Sequence, residues 1–246
     1  MPRVNLIKKR EQGVAKVLRN RTVRGQYSLP TGWRKVKVAN WNKLKQGDMI
    51  LTVSRRHTLG GLTSRVIAKL IEGKYSHVSA YMRKENGMHM VRDFKGKYGH
   101  RRIDLNNLAK TGIDLQVVRW KGISEQQLAD FMHNLRIIPK NIGTKYDFLQ
   151  AGGYAYVLQL MKFLHVPNPE KYLPDIEKYF TCSEYLSTAG SPNKKEMQPP
   201  YNLKRPKPPL LFDPILSPEM VTPTTIEAAV KAGILEKITE QTWKKE

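Results

Sequence analysis

Short hydrophobic or alternating runs, bounded by turn residues, mark the predicted strands of this chain. They predict strands over residues 49–53, 76–82, 88–94 and 114–120. Asn86-Gly87 stands between the second and third of these runs, and this dipeptide is typical of the tight turn of a β-hairpin. The central part of the chain is therefore predicted to contain short antiparallel strands.

Hydrophobic residues that recur every three or four positions predict helices packed on those strands. We expect helices over residues 58–72, 125–138, 145–164 and 225–232. Ser124 and Gln127 form a capping box before the second helix, which should end before Pro139, and Thr224 should cap the last one. Together these elements predict an α+β fold in which a small antiparallel sheet is packed with helices.

The two ends of the chain differ from this pattern. Residues 1–40 carry eleven Lys and Arg side chains against a single acid, Glu11, and are interpreted as a basic N-terminal arm. The compact domain is expected over residues 41–246. Within it, residues 191–223 contain nine prolines, so this segment should wrap over the body in extended form instead of folding by itself.

The excess of basic residues, a net charge of +22 over 246 residues, implies an anionic partner. Nucleic acid, an anionic cell-surface polymer, lipid head groups and an acidic protein all satisfy this requirement, and a solvated arm that aids solubility is an alternative. No helix-turn-helix, zinc-finger or aromatic RNA-binding motif is evident in the sequence, which disfavours nucleic acid. We therefore predict that the arm binds an anionic polymer or an acidic protein.

The sequence pattern also excludes several kinds of protein and site. It contains no run of about eighteen uninterrupted apolar residues, so we expect no transmembrane segment. The first 21 residues lack the apolar core of a signal peptide, so we expect a cytoplasmic or virion-associated protein. A single cysteine excludes an internal disulfide and a zinc site of several thiolates, and no cofactor or metal is predicted.

That single cysteine, Cys182, lies in "FTCSEYLSTAG", which has the features of a short helix. Thr181 can cap the helix, Glu184 can complete a capping box and Gly190 can close the far end. Cys182 would then be the first helical residue, where unpaired N–H groups and the positive end of the helix dipole favour a thiolate. Two interpretations remain open: a nucleophile beside an oxyanion site, or a buried thiol that only fills space.

A cysteine nucleophile needs a base, and among six histidines His77 has the position of one. It follows a tight Gly-Lys-Tyr-Ser turn near the start of a predicted strand. Alternation along that strand puts two sets of side chains on opposite faces: His77, Ser79 and Tyr81 on one, and Val78, Ala80 and Met82 on the other. A surface histidine at a strand start is the alternative interpretation.

Six blocks of the chain, taken in order, resemble one protein family. They are "GDMILTVS", the helix after it, "GKYSHVSAYM", "KYDF", "TCSEYL" and "SPEMVTPTTI". They resemble the circularly permuted, papain-like NlpC-type cysteine hydrolases, particularly the YiiX-like branch, over about residues 44–232. The resemblance implies a permuted papain-like fold, in which the histidine precedes the cysteine along the chain.

Carried over by position, the resemblance makes Cys182 the nucleophile and His77 the general base. The family's third catalytic group usually lies on the strand after the histidine, where this chain has "HMVRDF". Arg92 replaces the expected acid there, and Asp93 comes one position late. Either Asp93 orients His77 through a local change of register, or His89 on the same face does so, and we favour Asp93.

The resemblance also implies a reaction, in which Cys182 attacks a carbonyl and water resolves the thioester. Tyr146 of "KYDF" matches a tyrosine near the family's site, where its hydroxyl could assist, or it could only pack at a helix start. Lipid-directed relatives carry Asn-Cys-Glu-His-Phe around the nucleophile, whereas this chain has Thr-Cys-Ser-Glu-Tyr, which favours amide hydrolysis over acyl-ester chemistry.

The expected substrate is therefore a peptide, with the stem peptide of the cell wall as the leading class. A different function also fits the sequence. The chain could be a structural or docking component of a virion or another large assembly, using a hydrolase-like scaffold together with its basic arm.

Overall fold

The computed structural model describes residues 32–94, 100–141, 145–146, 179–180, 182–190, 192, 197–198, 202–204, 206 and 221–245. Its strands are β1 Trp33–Lys37, β2 Met49–Ser54, β3 His77–Glu85, β4 Met88–Phe94, β5 His100–Asp104, β6 Ile113–Trp120, β7 Lys145–Tyr146, β8 Tyr179–Phe180 and β9 Leu235–Lys245. Its α-helices are α1 Leu59–Leu70, α2 Glu125–Asn141, α3 Cys182–Gly190 and α4 Pro223–Lys231, and short 3₁₀ turns lie at Trp41–Lys43 and Leu105–Asn107.

Seven of these strands form one sheet in the order β1-β9-β6-β2-β3-β4-β5, and every neighbouring pair is antiparallel. The predicted α+β class and antiparallel pairing are confirmed, although the sheet is larger than the small sheet expected. β7 and β8 form a separate parallel pair, in which Tyr146 lies opposite Phe180.

Apolar side chains of the described residues form two separate cores, and successive side chains of β3 point alternately into one or the other. Val78, Ala80 and Met82 belong to the larger core, together with residues of α1, α2, α3 and α4. Tyr81 belongs to the smaller core, with Ile50 and neighbouring strand residues. The predicted two faces of β3 are therefore confirmed, and the helices α1 to α4 pack on the side of Val78.

The hairpin of β3 and β4 has the predicted turn. Asn86 and Gly87 have positive φ angles of 48° and 80°, as a type I′ turn requires. The pairing changes register between Tyr81 and Arg83, so that Met82 is an extra residue in β3. This β-bulge sets which residues of the two strands face each other beyond it.

The prediction that the second helix ends before Pro139 is wrong. Its start is as expected, because Ser124 and Gln127 exchange hydrogen bonds at 2.9 and 3.2 Å. However, α2 contains Pro139 and continues to Asn141.

The helix continues because its missing hydrogen bond is replaced from outside. Pro139 has no N–H to donate to the carbonyl oxygen of Leu135, four residues earlier. That oxygen accepts instead from Arg92 Nη1 at 3.0 Å and from Tyr185 Oη at 2.5 Å. Side chains of β4 and α3 thus satisfy the carbonyl that the proline leaves open.

The predicted cap of the last helix is also wrong by two residues. α4 begins at Pro223, which suits the first helical position, and Thr222 Oγ1 caps it by accepting from the N–H of Thr225 at 3.3 Å. The hydroxyl of Thr224 donates instead to the carbonyl of Ile71 at 2.7 Å, which joins α4 to the end of α1.

Two further boundaries differ from the sequence prediction. Trp33–Lys37 pair with β9, so the sheet begins inside the segment assigned to the basic arm, and residues 1–31 lie outside the described part. Lys145–Tyr146 form β7 and do not begin the helix expected over 145–164. The rest of that helix lies outside the described residues.

Strands β1, β5 and β9 have no counterpart in the sequence prediction. β5 is "HRRID" and β9 is "LEKITEQTWKK", and their many charged residues obscure any hydrophobic alternation. In β9 only Leu235, Gln241 and Trp243 are buried. A bulge within β9, at Ile238 opposite Val117 and Val118, breaks the period further.

Two described residues of the proline-rich segment, Leu203 and Val221, pack into the larger core. The side chain of Asn134, fully buried in α2, holds the backbone next to Leu203. Its Nδ2 donates to the carbonyl oxygens of Lys204 at 2.5 Å and Ala189 at 2.8 Å, and its Oδ1 accepts from the N–H of Lys204 at 2.8 Å. One amide therefore connects α2, α3 and this segment.

We expect Asn134→Ala to lower the free energy of unfolding by about 3 kcal/mol, because it leaves three backbone groups without their partner. Urea-induced unfolding measures the change. Asn107→Ala, the same substitution at an exposed position, is the control and should change stability by less than about 0.5 kcal/mol. Equal effects of the two substitutions would contradict the role of Asn134.

Candidate active site

Cys182 is the first residue of helix α3, as the sequence predicts. The N–H groups in the first turn of a helix have no partner within it, and the positive end of the dipole stabilises an anion there. The thiol is only 4% exposed and belongs to the larger core. Thr181 and the side chain of Glu184, the predicted capping residues, lie outside the described part of the structure.

His77, the first residue of β3, forms a side-chain hydrogen bond with Cys182. Its Nε2 lies 2.5 Å from Oδ1 of Asp93. Because Nε2 is used in this way, Nδ1 is the ring nitrogen that can exchange a proton with the sulfur. The structure thus joins a thiol, an imidazole and a carboxylate in one continuous series of hydrogen bonds.

A backbone group also contacts the thiol. The N–H of Val78 donates a hydrogen bond to the sulfur of Cys182. The pairing of β3 with β4 begins with Ala80 opposite Arg92. Val78 comes before this first pair in β3, so its N–H is not used in the pairing with β4 and is available to the sulfur. An N–H donor at this position stabilises the thiolate over the thiol.

Asp93 is fully buried, and both of its carboxylate oxygens are used. Oδ1 accepts hydrogen bonds from His77 and, at 2.8 Å, from the hydroxyl of Ser79. Oδ2 accepts from Nε of Arg101 at 2.6 Å and from its Nη2 at 2.5 Å. A buried carboxylate with these donors is held in its ionised form.

The β-bulge at Met82 explains how Asp93 reaches His77. Beyond the bulge Ala80 lies opposite Arg92, so that the next position of β3, Ser79, faces Asp93. Without the extra residue Asp93 would move by one position and point to the other face of the sheet. The local change of register that the sequence hypothesis required is therefore present.

Arg92, the residue at the position where the resemblance expects an acid, points away from His77. Its Nη1 bonds the carbonyl oxygen of Leu135 and lies 3.0 Å from Nε2 of His100. Burial and the charge of Arg92 lower the pKa of His100 to about 4, so His100 is neutral and can accept this bond. Arg92 thus contacts α2, on the face of the sheet against which the helices pack.

The charges of the site shift the pKa values of its members in opposite directions. Burial by itself would lower the pKa of His77, but the charges of Cys182 and Asp93 and their hydrogen bonds raise it to about 9. Burial would raise the pKa of Cys182, but the imidazolium of His77 and the N–H of Val78 hold it below its ordinary value. Burial likewise opposes ionisation of Asp93, whose pKa is nevertheless well below its usual range because of His77, Arg101 and Ser79. At neutral pH these shifts favour a thiolate–imidazolium pair.

Helix α3 is held in place by contacts of its fourth residue, Tyr185, and of its C-terminal end. The ring of Tyr185 stacks on Phe94 of β4, with ring centres 5.4 Å apart. Its hydroxyl bonds the carbonyl of Leu135, and the far end of the helix is fixed by Asn134 through the carbonyl of Ala189. The position of Cys182 is therefore determined by contacts with β4 and α2.

The other two predicted site residues lie differently. His89 is at the turn end of β4, where its Nδ1 is 3.2 Å from the hydroxyl of Tyr81, and it does not hold His77. Burial and the charge of Lys84 lower the pKa of His89. Tyr146 lies opposite Phe180 in the pair of β7 and β8, and Phe180 is two positions before Cys182 in the sequence.

Sequence reasoning missed Ser79 and Arg101 as parts of the site. Alternation placed Ser79 on the face of His77, which was a usable signal for its contact with Asp93. Arg101 gave no such signal, because it lies on β5, a strand that the hydrophobic pattern did not reveal. The contribution of Val78 comes from its backbone and is invisible in the identity of the side chain.

Within the described ranges, no group of three or more His, Cys, Asp and Glu side chains has the arrangement of a metal site. The helices in the same ranges are all too short or too polar to cross a membrane.

Replacing Asp93 by Asn should lower the pKa of His77 from about 9 toward its ordinary value near 6.5. The reason is that the substitution removes a negative charge that stabilises the imidazolium. NMR titration of the imidazole resonances measures this change. Asp104→Asn removes the same charge from the neighbouring strand β5 and should leave the titration of His77 unaltered. An unchanged titration in Asp93→Asn would contradict the contact between the two side chains.

Comparison of the sequence with protein-family models and with curated proteins finds no match.

Proposed function

We propose that the protein is a cysteine hydrolase that cleaves an amide bond through a thioester intermediate. The observation that carries this proposal is the contact of a helix-start cysteine with a histidine that is itself bonded to a buried carboxylate. Nucleophile, base and orienting group in this order are what thiol-dependent acyl transfer requires. A cysteine that only fills space has no need of such partners.

In the first half of the reaction, the Cys182 thiolate attacks the carbonyl carbon of the substrate. The N–H groups at the start of α3 stabilise the negative charge that develops on the carbonyl oxygen. Nδ1 of His77 then gives its proton to the leaving nitrogen, the C–N bond breaks and an amine departs. Asp93 keeps the imidazole oriented and stabilises its charged form.

In the second half, His77 accepts a proton from water while the oxygen attacks the thioester carbon. The C–S bond breaks, a carboxylic acid is released and the thiolate–imidazolium pair returns. Proton and electron pair balance without a further reagent, so the proposed reaction needs no cofactor.

The motifs of the sequence suggest a substrate class for this reaction. Their resemblance to the permuted NlpC-type hydrolases, and the Thr-Cys-Ser-Glu-Tyr context of the cysteine, favour a peptide amide, with cell-wall peptides first. The permuted papain-like fold is part of the same proposal. It is supported by the seven-stranded antiparallel sheet and by the order of His77 before Cys182.

A second candidate is a structural or docking component of a virion or other large assembly. Its specific support is the concentration of eleven Lys and Arg side chains in the first 40 residues. In that case the basic arm would carry the function by binding an anionic polymer or an acidic protein.

The rate of alkylation of Cys182 by iodoacetamide, measured as a function of pH, tests the hydrolase proposal. A small reagent is needed because the thiol is only 4% exposed. In the parent chain we expect an apparent pKa well below the ordinary value of about 8.5. A second change of rate should follow near pH 9, where His77 loses its proton and the thiolate loses its cationic partner.

His77→Gln should remove that second change and raise the apparent pKa of the thiol, so that alkylation near pH 6 slows by roughly tenfold or more. His57→Gln, at an exposed histidine, is the control and should keep the parent profile. If Cys182 reacts only after unfolding in urea, or with the same profile in His77→Gln, the hydrolase proposal fails and the docking function becomes the better account.

A further inference from the structure

A cavity of about 320 Å³ lies between the end of β2 and helix α1. Its floor is apolar and is formed by Val53 and Ala68, which belong to the larger core. Its walls are cationic, and they are lined by Arg55, Arg65, Lys69 and Lys74. The volume is within the range of pockets that bind small ligands.

The positive charge of this cavity is only partly neutralised by the protein. Arg55 Nε donates to Asp114 Oδ2 at 2.8 Å, so this cation has a carboxylate partner. Arg65 donates to a neutral group, the carbonyl oxygen of Arg56, at 2.9 Å. Among the described residues no carboxylate is within salt-bridge distance of Arg65, Lys69 or Lys74.

A carboxylate close to the cavity is directed elsewhere. Oε1 of Glu227, on α4, accepts hydrogen bonds from the backbone N–H groups of Lys74 and Tyr75 at 2.9 and 3.0 Å. It fixes the backbone at the wall of the cavity and does not form an ion pair with the cationic side chains there. Several like charges around one concave surface repel each other unless an anion is present.

Two observations, one from the sequence and one from the strand pairing, place the cavity close to the candidate active site. Lys74 comes three residues before His77, so their Cα atoms are at most about 11 Å apart. Thr52 pairs with His77 across the sheet, and Val53 of the cavity floor is the next residue. Cys182 belongs to the same core as that floor. Both places therefore lie at the same end of the sheet, where β2 ends and β3 begins.

We propose that this cavity binds an oxyanion, a carboxylate or a phosphate, carried by the substrate that Cys182 attacks. The inference rests on the proposed hydrolase function and names the chemistry of its substrate: an acyl compound with a negative group a few bonds from the scissile carbonyl. Guanidinium groups of Arg55 and Arg65 suit the planar or bidentate geometry of such oxyanions, and the ammonium groups of Lys69 and Lys74 add attraction without fixed direction.

Binding of inorganic phosphate and of glutarate to the full chain tests the site without any turnover. Amide resonances are followed by NMR at constant ionic strength, in the parent and in the Cys182→Ala variant. We expect saturable shifts at Ala68, Gly73 and Lys74 in both proteins. The ligand with the higher affinity identifies phosphate or carboxylate as the group that the cavity prefers.

The double variant Arg65→Gln/Lys69→Gln should weaken this binding by roughly tenfold or more. The control, Lys84→Gln/Lys121→Gln, removes the same charge at two exposed positions near the opposite end of the sheet and should bind like the parent. Shifts that do not saturate, or equal affinity in both double variants, would overturn the anion site.

These outcomes are separate from those of the alkylation experiment. A chain that binds the anions but has an unreactive Cys182 keeps the anion site and loses the hydrolase function. A chain with a reactive thiol–imidazole pair and no saturable binding keeps the hydrolase and loses the inferred substrate class.

Discussion

The buried carboxylate of Asp93 is the group on which the arrangement of the site depends. It lies on β4 and is bonded to His77 and Ser79 of β3 and to Arg101 of β5, so it joins three adjacent strands by side chains as well as by backbone ladders. An ionised carboxylate at this depth is tolerated only because each oxygen receives strong donors. The same requirement fixes the imidazole of His77 in one orientation, with Nδ1 toward the sulfur.

The helix that carries Cys182 is fixed by a second polar group, the carbonyl oxygen of Leu135. Pro139 makes that oxygen available by lacking an N–H, and Tyr185 of α3 and Arg92 of β4 both bond to it. A residue that would ordinarily break α2 thus provides the attachment point for α3. Position of the nucleophile and position of the base are therefore set by two independent networks, which meet at the start of α3.

The elements that could be predicted from the sequence are those in which the turn or capping residues and the pattern of buried positions indicate the same structure. The turn at Asn86-Gly87, the strands on either side of it, the start of α2 at its capping box and the start of α3 at Cys182 all follow from short-range rules. The contact of Cys182 with His77 was predicted from the motifs in the chain, and Asp93 was favoured over His89 as the partner of His77. The remaining features depend on contacts far apart in sequence.

Those long-range features share a physical cause. β5 is an edge strand and β9 carries surface charges, so both are polar in sequence. They are strands because of burial by neighbouring strands, and not because of their own composition. The bulge at Met82 has no signature in residue identity, yet it decides which face Asp93 occupies. Helix α2 passes Pro139 because of groups donated by other elements, which a local rule cannot anticipate.

The position of β9 in the sheet has a consequence for the order of folding. β1 pairs only with β9, and the paired residues Trp33 and Lys245 are about 200 residues apart. Until β9 leaves the ribosome, β6 therefore has one unpaired edge and β1 has no partner strand among the described elements. Exposed strand edges invite pairing with other chains, and the lysines and arginines of β1 make such pairing less favourable during that interval.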